Sequence, residues 1–273
     1  MKNRLYLTML MGMSLGLAAC DTDYGSIDKT PYPNNEPIAG VWTGTYVYTP
    51  PGTGSTAETV DTLLVGSETN EFWMIESNET SGCVHISYGG AESRQANVNG
   101  TFGWSSSCTF TDGSNYGSGT LSGTADLHVT ISLSITETDS KNYLYATFSP
   151  AFTFQDVYLE GSSLATVAGN FTAASGVSIT IDSSGMIMGG TVGSCTAAGA
   201  VSLMNSQFNL YRIVYTLSGC TANGDMALNG VQLTGMGYLD DTSTSAPHTF
   251  NLVLHGTDTN GLGVVFADRF TAI

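Results

Sequence analysis

The chain has 273 residues, of which 11% are charged, and it sets 23 Asp and Glu against 7 Lys and Arg for a formal charge of −16. So little positive charge excludes binding to a nucleic-acid phosphate backbone, or to an anionic membrane through a basic patch, because both rely on clustered Lys and Arg. The surface must instead be built from Ser, Thr, Asn and Gly, a composition poor in helix formers and common in exported all-β proteins.

The chain opens on Lys2 and Arg4, continues through an apolar run from Leu5 to Leu17 and ends that run on small residues, the three parts of a secretory signal. The run is too short to span a bilayer permanently. Leu17-Ala18-Ala19-Cys20 closes it and resembles the lipobox of bacterial lipoproteins. The resemblance implies cleavage of residues 1–19 and lipid attachment at Cys20, with diacylglycerol on the thiol and a further acyl chain on the new amino terminus. The membrane is then a partner through that lipid, each buried CH₂ contributing about 0.8 kcal/mol. Asp21 resembles the inner-membrane retention signal of enteric bacteria, but sorting rules differ among genera and either membrane of the cell envelope stays open. Losing Lys2 and Arg4 takes the charge from −16 to −18 and leaves Lys29, Arg94, Lys141, Arg212 and Arg269 as the basic residues. Residues 20–37 hold three prolines and many turn formers, which reads as a lipidated, extended tether.

Beyond the tether the chain repeats itself once. Cys83 to Cys108 and Cys195 to Cys220 are both 25 positions apart, and the pairs are displaced by 112. Ile38-Ala39-Gly40-Val41-Trp42-Thr43 answers Val167-Ala168-Gly169-Asn170-Phe171-Thr172, and Leu121-Ser122-Gly123 answers Leu233-Thr234-Gly235. From Gly40 to Cys83 is 43 positions but from Gly169 to Cys195 only 26, so the first copy carries 17 extra residues, with Pro50-Pro51-Gly52-Thr53-Gly54-Ser55 among them. These marks place a first β domain over 38–160 and a second over 166–273, each long enough to bury its own core.

Period-two alternation dominates both copies. In Leu127-His128-Val129-Thr130-Ile131-Ser132-Leu133-Ser134-Ile135 every odd position is apolar, the pattern of a strand with one buried face. Val177 to Asp182 repeats it, and Phe250 to His255 follows less cleanly. Turn formers such as Ser183-Ser184-Gly185, Ala222-Asn223-Gly224-Asp225 and Asp112-Gly113-Ser114-Asn115 fall between the runs at hairpin intervals. The expected fold is all-β: two tandem small antiparallel barrels of up-and-down meander type, or two sandwiches, after a signal peptide and flexible tether.

Four cysteines beyond Cys20 in an exported chain imply two disulfides, for which three pairings exist. The repeat makes Cys83–Cys108 and Cys195–Cys220 the most economical. In a meander 25 positions is about one trip up and back, which puts both partners at the same end of the domain on strands two apart, about 9.5 Å from each other and beyond the roughly 7 Å limit for bridged Cα atoms. That places the cysteines in or beside loops, where Ser81-Gly82, Gly193-Ser194 and Ser218-Gly219 precede three of them.

Gly40-Val41-Trp42 resembles the Gly-x-Trp that opens the first strand of lipocalins, whose Trp packs across the closed end of an eight-stranded barrel holding a small hydrophobic ligand. A broader resemblance is to two-domain all-β lipoproteins of Gram-negative bacteria. It is carried by Ser163-Leu164-Ala165-Thr166-Val167-Ala168-Gly169, by Ile179-Thr180-Ile181-Asp182-Ser183-Ser184-Gly185 and by Asn209-Leu210-Tyr211 ahead of Cys220. It implies architecture and anchoring, and no activity.

The sequence contains no nucleophile elbow, zincin motif, phosphate loop or EF-hand acid pattern. His85, His128, His248 and His255 lack the short spacing of a metal site, and Asp182 and Asp240-Asp241 lie in turn-like sequence where Asp serves backbone hydrogen bonding. No catalytic residue, metal ligand or cofactor is therefore assigned. Trp42, Trp73 and Trp104 all fall in the first domain and mark a possible ligand pocket there. The resulting expectation is a non-enzymatic envelope lipoprotein with a structural or protein-binding role. Its first alternative is a lipocalin-like carrier of a small apolar molecule. The third is an envelope hydrolase, which needs acids assembled from distant strands around His85 or His128.

Overall fold

The computed structural model describes residues 38–48, 57–77, 84–94, 96–107, 115–222, 225–241, 248–257 and 263–272. The chain divides into two compact units between Gln155 and Asp156. Each is a closed antiparallel barrel of eight staves, so the barrel alternative holds over the sandwich.

The first barrel runs through β1 (Gly40–Tyr48), β2 (Glu58–Gly66), β3 (Glu71–Ser77), β4 (Val84–Arg94), β5 (Asn97–Ser106), β6 (Tyr116–Asp126) and β7 (Thr130–Asp139). Each strand pairs with the next. The eighth stave is split into β8 (Leu144–Phe148) and β9 (Ala151–Phe154) around Ser149-Pro150. Proline has no N–H for the ladder, yet its carbonyl still accepts from Leu133 N at 3.1 Å. β9 pairs with both β7 and β1 and closes the ring.

Closure sets one phase of every strand inward. Following the register around the ring, the inward set includes Trp42, Tyr46, Thr62, Leu64, Met74, Glu76, His85, Ser87, Phe102, Trp104, Ile135, Glu137 and Phe152. Gly40 adopts φ +153°, and a Cβ there would stand 2.7 Å from Trp42 Nε1 and 2.8 Å from the Phe154 ring. Trp42 can therefore fold back over Gly40, with its indole N–H donating to Ile38 O at 3.1 Å and its ring edge-on to Phe154. That is the physical content of the Gly-x-Trp spacing.

The alternation over Leu127–Ile135 begins earlier in the sequence than in the fold. Residues 127–129 form the β6–β7 turn, with His128 at φ +53° and Leu127 and Val129 exposed at 55% and 57%. The strand starts at Thr130 because the ladder from β6 ends at Asp126↔Thr130.

The second barrel comprises β10 (Gly169–Ala173), β11 (Ser178–Ile181), β12 (Met186–Val192), β13 (Cys195–Leu203), β14 (Tyr211–Ser218), β15 (Gln232–Asp240), β16 (Thr249–Thr257) and β17 (Gly263–Ala272). β10 pairs with β17 to close it. Its interior is aliphatic and aromatic, with Phe171, Ile179, Ile213, Tyr215, Leu233, Phe250, Leu254 and Phe270 among the buried side chains. Before β10 a one-turn helix, α1 (Leu164–Val167), is held by a capping box between Ser163 and Thr166, and Tyr211 Oη donates to Ser163 O at 3.2 Å.

Asn209 ties this barrel's β15 to the 3-10 turn at Asp156–Leu159. Its amide nitrogen donates to Val157 O (3.1 Å) and Leu239 O (2.5 Å), and its carbonyl oxygen accepts from Leu239 N (3.1 Å). Asp182 caps the turn into β12 by accepting from Ser184 N and Met186 N at 2.8 and 2.9 Å, the backbone role expected of it.

Cys195 and Cys220 form a disulfide with Cα atoms 4.0 Å apart. Cys195 opens β13 and Cys220 follows the end of β14, strands that are neighbours, with Thr196 opposite Ser218. The assumption of strands two apart is thus corrected: 25 positions carry the chain up one strand and back along the next, which ends beside its starting point. The loop-side placement stands. Cys83 and Cys108 lie outside the described residues, as do Cys20, the signal and the tether.

Candidate binding site inside the first barrel

Four strands of the first barrel bring polar side chains to one place in its interior. Tyr46 comes from β1, Glu76 from β3, His85 from β4 and Glu137 from β7. Glu76 and His85 are direct cross-strand partners, and Thr62 of β2 is opposite Glu76 on the other side. Glu137 reaches them across the lumen, because β5 and β6 separate β4 from β7 in the sheet.

Crossing that distance requires an empty wall on β6. Gly119 stands opposite Glu137 and Phe102, and a Cβ on Gly119 would meet the Phe102 ring at 2.3 Å. A Cβ on Gly117 would meet Thr138 O at 2.0 Å and Trp104 Nε1 at 2.8 Å. These glycines let the aromatic rings lie flat over the strand, and Trp104 secures its position by donating from Nε1 to Thr138 O at 3.0 Å.

His85 Nε2 lies 3.0 Å from Glu137 Oε1, to which Ser87 Oγ also donates at 3.5 Å. Tyr46 Oη donates to Glu76 Oε2 at 2.6 Å. The imidazole of His85 stacks on Trp104, which stacks in turn on Tyr145, with ring centroids 4.8 and 4.9 Å apart. The His85 and Glu137 side chains are 12% and 2% exposed, so the cluster is largely withdrawn from water. Two buried polar atoms face it without a partner, Glu76 Oε1 and Thr62 Oγ1.

Burial works against the imidazolium of His85, but the carboxylates of Glu137 and Glu76 outweigh it and raise the group to about 9. Burial pushes Glu76 up to about 7, partly relieved by His85 and opposed again by Glu137. Tyr46 is raised by burial and then by the Glu76 carboxylate, and Tyr145 by burial and then by Tyr48. The phenols therefore stay protonated and act as donors.

Of the three tryptophans that marked a pocket, Trp42 and Trp104 point into the barrel. Trp73 is on the opposite phase of β3 and stacks on Tyr88 of β4, with ring centroids 5.3 Å apart. It does not share the interior with the other two. Sequence reasoning passed over Glu76, His85 and Glu137 as a group, although the signal was present. In β3 the inward phase reads Phe72, Met74, Glu76, and in β7 it reads Ile131, Leu133, Ile135, Glu137: an acid at an apolar phase in each.

In the second barrel no carboxyl group is among the buried polar residues described. Asp268 lies on the inward phase of β17, where burial raises its carboxyl and Ser175 Oγ donates to it at 2.5 Å, while Arg269 Nη2 and His248 Nδ1 stand 3.9 Å from Asp240 and Asp241. Glu160 is raised to about 7, by burial first and then by its hydrogen bond to Asp241 and the charges of both aspartates.

Compared with known proteins, the chain matches no family and no curated relative. Among solved structures it is similar to Aeromonas veronii immune modulator A, at 14% identity over 91% of this chain and 99% of that one, with a TM-score of 0.33.

Proposed function

We propose that the chain is a non-enzymatic, lipid-anchored protein of the bacterial cell envelope whose first, lipocalin-like barrel takes a small ligand into its interior. The second barrel serves as a structural module that can meet an envelope protein partner. The observation that carries this reading is the meeting of Glu76, His85 and Glu137 inside the first barrel, whereas the inward phase of the second carries Asp268, part-buried, with no second carboxyl group described beside it. Burying carboxylates costs several kcal/mol each relative to apolar side chains of similar size. An interior selected for stability alone would be filled with apolar side chains, as most of the second barrel's is.

The same observation moves the cargo away from the purely apolar molecule expected from the Gly-x-Trp resemblance and toward one with a positive or strongly polar group. Anchoring rests on Leu17-Ala18-Ala19-Cys20.

Native mass spectrometry on protein recovered from its own envelope tests the binding reading. A reproducible added mass that disappears in a Glu76→Gln, Glu137→Gln variant is expected; a bare chain under conditions that preserve weak complexes argues for a purely structural role. Replacing Cys20 with Ser is expected to move the protein from the membrane to the soluble fraction.

A further inference from the structure

We propose that Glu76, His85 and Glu137 form a site for one divalent transition-metal ion, with zinc the expected occupant. The proposal rests on reading the first barrel as a binding barrel and names the chemistry of what it binds. One imidazole nitrogen and two carboxylate oxygens, one from each residue, all lie within 4.8 Å of one another. Donors around a tetrahedral ion with bonds of about 2.0–2.1 Å stand about 3.3 Å apart. His85 Nε2 and Glu137 Oε1 are already at 3.0 Å, so only the Glu76 carboxylate has to close in, by a small side-chain rotation.

A second observation points to a ligand independently of the cluster itself. Glu76 is 5% exposed, and its Oε1 is buried without a hydrogen-bond partner. Leaving an acceptor of this kind unmade is costly, more so when it is charged, and a cation between Glu76 and Glu137 would remove that cost. Two carboxylates and a neutral imidazole also balance a dication, which suits an interior where uncompensated charge is expensive.

The surroundings orient these donors as outer-shell groups do in metal sites. Tyr46 holds the other oxygen of Glu76, Ser87 bonds Glu137, and Trp104 fixes the plane of the His85 ring by stacking. The donor set discriminates among metals. Calcium and magnesium take oxygen ligands and are poorly served by an imidazole, whereas zinc accepts mixed nitrogen and oxygen donors. Three protein donors leave a fourth position for water or for a group on a bound molecule.

The test is calorimetric titration of zinc chloride into the chelator-treated full chain in mild detergent, repeated with Glu76→Gln and His85→Gln. One equivalent binding at about micromolar affinity or tighter is expected, weakened at least about tenfold by either substitution while far-UV circular dichroism stays unchanged. A His128→Gln, His248→Gln, His255→Gln variant, which keeps His85 as the remaining histidine, is expected to bind as the wild type does. It keeps the assignment testable if a substitution inside the barrel prevents folding. Absence of saturable uptake by the folded wild type, or loss of binding in the triple variant with retention in His85→Gln, overturns the site. An organic adduct in native mass spectrometry without zinc uptake overturns the metal while leaving the binding-barrel reading in place.

Discussion

Opening the disulfide of the second barrel has a size that can be worked out beforehand. Cys195 and Cys220 close a loop with a sequence separation of 25 and join the starting end of β13 to the finishing end of β14. On the chain-entropy account, freeing a loop of that length in the unfolded ensemble costs about 3.5 kcal/mol at 25 °C. A Cys195→Ala, Cys220→Ala variant should lose that much in urea denaturation. All three tryptophans lie in the first unit, so tryptophan fluorescence follows the first barrel. The second is followed by hydrogen exchange of peptides from β13 and β14 at increasing urea. Those peptides should lose protection at lower urea. A loss under about 1 kcal/mol would refute the loop-closure reasoning and place the stabilisation in the native ladder between the two strands.

Gly119→Ala puts a methyl group 2.3 Å from the Phe102 ring, and the tryptophan-reported transition is expected to fall by about 1–3 kcal/mol; an unchanged midpoint would show that the ring can move aside. Asn209→Ala leaves Val157 O, Leu239 O and Leu239 N without the Asn209 side chain, for a loss of about 2–4 kcal/mol in the second barrel, and Asn209→Asp should recover only part of it. His255 is lowered to about 4 by burial, so the unfolded state takes up its proton first as pH falls. The contribution is present above about 6.5 and disappears toward 4, amounting to about 2 kcal/mol between pH 7 and pH 5. Urea titrations of wild type and His255→Gln at both pH values check this, and equal losses in the two proteins would contradict it. Peptide mapping without reduction is expected to recover Cys83 linked to Cys108.

The strands were legible because alternation is a local property, whereas closure into barrels was not, since sandwiches share the pattern. Phe250, Leu252 and Leu254 announce the inward phase of β16 directly, and Leu121 and Leu233, 112 positions apart, are inward residues of β6 and β15. Where alternation misled, a hairpin decided the matter: Leu127 and Val129 keep the apolar phase of β7 but belong to a turn, because the ladder ends before them. The split of the last stave at Pro150 needed both of its neighbours to be seen, since β9 pairs with β7 and β1. The candidate site was least legible. Glu76 and His85 lie in strands that the alternation did not single out and Glu137 two positions beyond the Leu127–Ile135 run, and only closure of the ring brings Glu137 across the lumen to the other two. Trp73 shows the converse, since membership of the first domain did not place it on the inner face.

Whether the first barrel holds a cation between Glu76, His85 and Glu137 can be read from anomalous diffraction at the zinc edge of zinc-soaked crystals. A strong peak is expected inside the first barrel within bonding distance of His85 Nε2 and of both carboxylates, at about 2.0–2.2 Å. Peaks confined to surface groups such as His248 and Asp241, with none inside the barrel, would contradict it.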